Sequence, residues 1–93
     1  MTNKFGNAIV LMQSKKGSYG SIGILGRPEE EIKVCYLVIC KYSDDNGSVY
    51  MLLCDEEMNE EQDVLFDNIE EALLDAQRRT KGQIEWEYTN ENQ

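Results

Sequence analysis

The chain has 93 residues, 41% of them hydrophobic, with 18 acidic against nine basic side chains, a net charge of −9 and no histidine. That size and composition suit one folded domain, taken as residues 1–93, with a modest core. The charge argues against binding nucleic acid, anionic membrane or phosphate substrates, and the absence of histidine removes Ser-His and Cys-His catalysis.

No apolar run reaches the roughly 18 residues of a membrane span, and no signal-peptide pattern follows Met1, so the chain reads as cytoplasmic. Asn7 to Gln13 (NAIVLMQ) reads as a strand. Ser14 to Gly20 (SKKGSYG) reads as a turn or mobile loop, and Ser21 to Leu25 as a second strand loosened by Gly23. Gly26-Arg27-Pro28 is punctuation. Pro28 with Glu29, Glu30 and Glu31 suits at most one helical turn, acids at its positive end.

Ile32 to Tyr42 (IKVCYLVICKY) and Ser48 to Cys54 (SVYMLLC) form a hairpin around Asn46-Gly47, a strong turn signal. A two-residue loop there sets Asp45 opposite Ser48, Tyr42 opposite Met51, Cys40 opposite Leu53 and Ile39 opposite Cys54. One side then carries Tyr36, Val38, Cys40, Tyr42, Val49, Met51 and Leu53; the other carries Cys35, Leu37, Ile39, Leu52 and Cys54. Both sides are apolar, so the hairpin belongs in the middle of a sheet.

Asp55 to Asp63 (DEEMNEEQD) reads as a polar connection with Met58 embedded in it. Val64-Leu65-Phe66 is a short strand or the lead into a helix over 67–81. There Asp67 caps with Glu70 three residues on, and Ile69, Ala72, Leu73 and Ala76 form an apolar stripe. Arg78, Arg79 and Lys81 complement the helix dipole before Gly82. Gln83 to Tyr88 alternates as a last strand, with Ile84, Trp86 and Tyr88 packed toward the helix. The order gives an α+β fold: a mostly antiparallel sheet of four to five strands with one main helix on one face.

Catalytic chemistry finds no support. The carboxylates fall on loops and wet faces. Cys35, Cys40 and Cys54 sit inside apolar runs, without a neighbouring base or zinc-ligand spacing, and read as reduced, buried small hydrophobes. Asp55, Glu57, Asn59, Glu61 and Asp63 alternate like the start of a calcium loop, but the required glycine and the closing glutamate are replaced by Glu60 and Phe66. The glycines from Gly17 to Gly26 match no phosphate-loop spacing. Lys4, Lys15, Lys16, Arg27 and Lys33 are scattered, without the interleaved aromatics of a base-stacking platform. No metal or cofactor is expected.

Charge placement is more informative. From Tyr42 to Gln77 there are twelve acidic residues and no Lys or Arg. Such a block attracts a basic protein and speeds the encounter at low salt. The expected partner-binding residues are Asp44, Asp45, Asp55, Glu56, Glu57, Glu60, Glu61 and Asp63 for steering and contact. Tyr42, Tyr50 and Met58 are the expected anchors.

The stretch from Tyr50 to Tyr88 adds a resemblance. Leu53-Cys54-Asp55, an acidic connector, Asn68-Ile69-Glu70-Glu71-Ala72, Ala76 and then Trp86 after a glycine resemble the small bacterial immunity proteins of polymorphic toxin systems. Those proteins tend to carry Trp near the place of Met58 and an aromatic-rich helix end where this chain has Arg78-Arg79. The resemblance implies a cytosolic inhibitor that docks on a cognate toxin such as a basic nuclease and blocks its active site. The same charge and size also fit a DNA-mimicking, phage-type inhibitor of a nucleic-acid-binding defence protein, or a structural interaction subunit that pairs through a sheet edge.

Overall fold

The computed structural model describes residues 9–24, 26–42 and 48–88. The elements run β1 (Ile9–Ser14), β2 (Ser21–Ile24), β3 (Arg27–Lys33), β4 (Tyr36–Lys41), β5 (Val49–Cys54), β6 (Glu60–Phe66), α1 (Ile69–Arg78) and β7 (Trp86–Tyr88). Five strands form one antiparallel sheet in the order β6-β5-β4-β1-β7, and β2 and β3 pair as a separate two-stranded sheet. The expected α+β fold is present, with the hairpin strands β4 and β5 inside the sheet.

Helix α1 is capped by Asn68, not Asp67. Asn68 has extended backbone, and its side-chain oxygen accepts the Glu71 N–H at 2.9 Å. That bond satisfies one of the free amides of the first turn, while Glu70 and Glu71 meet the positive end of the dipole. The helix ends at Arg78, short of the expected 81. Ala72 and Ala76 lie one turn apart and are fully buried, so the backbone approaches the sheet closely. Ile69 and Leu73 flank them against the same core.

The hairpin departs from the expected register. Cys40 faces Tyr50, Ile39 faces Met51, Val38 faces Leu52, Leu37 faces Leu53 and Tyr36 faces Cys54. This pairing is three residues away from the one an Asn46-Gly47 loop dictates, and an odd shift turns every side chain of β5 to the opposite face. Leu37, Ile39, Val49, Met51 and Leu53 therefore share the helix side with Ala72 and Ala76. Val38, Cys40, Leu52 and Cys54 share the other side. Burial decides this outcome: the new register gathers the larger aliphatic side chains under the helix. The turn signal at Asn46-Gly47 lies outside the described residues.

Further corrections concern the first half. Arg27–Lys33 is strand, so no helical turn follows Pro28. Gly26, at φ 83°, supports the turn between β2 and β3. The apolar run Ile32 to Tyr42 is broken between β3 and β4, where Val34 N–H donates to Gly20 and Cys35 N–H to Cys54. Segment 15–20 is tied rather than loose. Gly17 N–H donates to Cys35, Tyr19 N–H to Val34, and the buried Tyr19 hydroxyl to the Lys15 carbonyl at 2.7 Å. A β-bulge at Leu11 shifts the β1–β4 register between Val10 and Met12 and sends both Leu11 and Met12 to the helix-side core. Ser14 is fully buried, and its hydroxyl accepts the Leu37 N–H at 2.9 Å where the β1–β4 ladder ends. At the far edge, Trp86 packs against the helix-side core, whereas Tyr88 is 69% exposed and does not.

Candidate protein-binding surface

The anchor residues predicted from the sequence come together on the face away from α1. Tyr36, Tyr42, Tyr50 and Met58 pack, each partly buried, around Val38, Cys40, Leu52 and Cys54. Tyr42 and Tyr50 meet edge to face, ring centroids 5.2 Å apart at 79°, an arrangement favoured by the ring quadrupoles. Sequence pairing sets Tyr42 beside Met51; the observed register sets it beside Tyr50 instead.

Acidic residues border this cluster because the chain returns as strand sooner than its polarity suggests. Only Asp55 to Asn59 is a loop, and Glu60–Phe66 is the edge strand β6. Opposite β5, Asp63 pairs with Leu52, Leu65 with Tyr50 and Glu60 with Cys54, which places all three on the face of the tyrosines. Leu65 is 56% exposed there. Burial, together with the nearby Cys40, Glu60, Asp63 and Tyr50, raises the pKa of the Tyr42 phenol above its ordinary value. Charged side chains on an edge strand also discourage unwanted strand pairing, and that structural role accounts for part of their presence.

Asp55 organises the loop. One carboxylate oxygen accepts the N–H groups of Glu57 and Asn59, each at 2.9 Å, and the other accepts the Asn59 side-chain amide at 3.3 Å. The Met58 N–H donates to the Asp55 carbonyl at 3.0 Å. The Asn59 and Glu57 backbone amides hold the Asp55 carboxyl below the usual aspartate range, although partial desolvation opposes them. Glu61 is pushed up, first by its side-chain hydrogen bond to Asp55, in which the protonated form donates. The turn forces Met58 to φ 66°, the left-handed region that glycine prefers, yet its side chain packs on the tyrosine cluster. Glu56 and Glu57 are exposed at the tip of this turn.

Asp44 and Asp45 lie outside the described residues. Cys40 and Cys54 are buried as expected, but Cys35 is only partly buried. Among the described residues no cluster of carboxylates or thiols suits a metal, and no helix is long and apolar enough to cross a membrane. Sequence reasoning did not include Val10, Tyr36 and Leu65 in this surface. Period-two alternation puts Tyr36 with Tyr42, but only the pairing of β5 with β6 brings Leu65 there.

No protein-family model matches the chain, and neither a curated protein nor a solved structure matches it significantly.

Proposed function

We propose that the chain is an inhibitory protein-binding module, an immunity protein that neutralises a basic toxin such as a nuclease. The observation that carries this reading is the meeting of Tyr42, Tyr50 and Met58 on the helix-free face beside Glu60 and Asp63. Aromatic side chains with polar tips lose little entropy on docking, and a desolvated aromatic centre with a charged rim is the usual anatomy of a tight interface. The acidic rim steers a cationic partner, and the tyrosine and methionine side chains hold it. No catalytic role is assigned to any residue.

The test begins with affinity capture from the source cells at low and then high salt, followed by rebinding of the purified partner. Neutralising Glu56, Glu57, Glu60 and Glu61 together to Gln lowers the association rate at low salt by at least about tenfold and flattens its salt dependence. An unchanged rate removes the steering role. Competition by duplex DNA for the same partner surface would replace the immunity reading with DNA mimicry.

A further inference from the structure

The fold gathers positive charge at the end of the molecule where α1 finishes. Lys15 and Lys16 open the segment after β1, while Arg78, Arg79 and Lys81 close α1 and the turn that follows it. These side chains border two adjoining clefts that share Ser18 and Thr80. A cleft of about 300 Å³ has Lys15, Lys16 and Glu85 on its walls. The second, about 530 Å³, has Arg78, Arg79 and Lys81. The two lysines and the three helix-end cations lie far apart in the sequence; the fold brings them to adjoining clefts.

Two of the five already have carboxylate partners. Lys15 Nζ lies 3.4 Å from Glu85, and Arg79 Nε donates to Asp75 at 2.8 Å. Lys16, Arg78 and Lys81 have no ion-pair partner among the described residues. The helix dipole accounts for cations at the end of α1. It does not account for two lysines converging from another segment. In a chain of net charge −9, the lowest-energy use of nine cations is to disperse them among the carboxylates; concentrating them adds mutual repulsion unless an anion relieves it.

The segment that carries Lys15, Lys16 and Ser18 is also preorganised. Its backbone is pinned to Val34 and Cys35, and the Tyr19 hydroxyl closes back on Lys15. A Cβ at Gly17 would come within 2.8 Å of the Tyr19 hydroxyl oxygen, so this close fold depends on glycine.

We propose that the two clefts form one binding site for a compact oxyanion: a phosphate or diphosphate group on a small molecule, held by Lys16, Arg78 and Lys81 with the Ser18 and Thr80 hydroxyls between them. The restriction to a compact ligand follows from electrostatics. Screening confines the attraction to roughly 8 Å at physiological salt. A long polyanion would extend along a molecule 42 Å in its longest dimension and meet the acidic surface. The proposal stands independently of the tyrosine face and of the inhibitor reading.

The experiment is a titration of the full chain with inorganic diphosphate, followed by backbone amide shifts. Saturable shifts at Ser18, Gly20, Thr80 and Gly82, with a Kd on the order of 1 mM or tighter, are the expected result. Lys16→Ala with Arg78→Ala weakens binding at least about tenfold, since hydrogen bonds to charged groups are lost. Ser18→Glu, which sets a carboxylate between the clefts, abolishes saturation. All three positions are exposed, so the fold and its melting temperature are retained. Linear shifts without saturation, or undiminished binding by the double variant, overturn the site. A single-stranded oligonucleotide that binds these residues more tightly than diphosphate overturns the restriction to compact anions.

Discussion

The two faces of the main sheet are buried equally deeply but are closed by different means. On one face Leu37, Ile39, Met51 and Leu53 lie under the small residues Ala72 and Ala76 of a helix. On the other, Val38, Cys40, Leu52 and Cys54 are just as inaccessible, at most 1% exposed, yet α1 does not cover them. Large side chains of the sheet and its loop, Tyr36, Tyr42, Tyr50 and Met58, fold over them instead. A helix lid uses up the surface it covers. A rim of tyrosines stays only partly buried, which suits recognition, and the acidic edge strand adds charge beside it.

Neighbouring leucines on opposite faces give the largest test of this comparison. Leu53→Ala removes a side chain under the helix and Leu52→Ala one under the tyrosine rim, and each lowers stability by about 2–5 kcal/mol in urea unfolding. A cost for Leu52→Ala below about 1 kcal/mol would mean that the second face is loosely packed, with its rim able to collapse or move aside.

A smaller effect is expected at the loop that presents Met58. Asp55→Ala removes an acceptor for two backbone amides and lowers the melting temperature, by less than either leucine variant. Asp55→Asn retains a carbonyl oxygen at the same place and loses less. The sign with pH follows from both partners. The lowered Asp55 carboxyl contributes stability above its unfolded value, lost as pH falls through its folded value. The raised Glu61 carboxyl contributes below its unfolded value, lost as pH rises through its folded value. The gap between wild type and Asp55→Ala is therefore widest in the acidic window between the two folded values and narrows on both sides. A gap independent of pH would show that the carboxyl pair does not hold the loop.

The smallest effect sharpens the role of Met58 itself. Met58→Ala loses packing and keeps the left-handed backbone, whereas Met58→Gly loses the same packing and relieves that backbone. The glycine variant should be the more stable of the two by roughly 1 kcal/mol. If the partner then binds the more stable glycine variant less well than wild type, Met58 is retained for contact and not for folding.

The helix is legible in the sequence because its signals are local. Apolar residues at Ile69, Ala72, Leu73 and Ala76 mark one side of a single turn-by-turn pattern, and either Asp67 or Asn68 has the chemistry to cap it. The site is legible in part for the same reason: Tyr42, Tyr50 and Met58 stand out as apolar groups next to carboxylates. Strand β6 is harder to see, because Glu60, Glu61, Gln62 and Asp63 have low strand propensity, and their extension comes from pairing with β5. The register of β4 against β5 is likewise non-local, and the tight-turn reading misplaces it by an odd number of residues.

By itself the sequence determined the α+β composition, the single strong helix, the central apolar hairpin and the one-sign acidic block, all properties of residues close together along the chain. Only the tertiary structure decided which hydrophobic residues lie under α1, that Tyr42 meets Tyr50, that Glu60 and Asp63 stand beside them on an edge strand, and that the cleft of Lys16 adjoins the one at the end of α1. Those outcomes depend on the competition among alternative strand pairings for buried area. Burial is a property of the whole packed chain, and no local pattern specifies it.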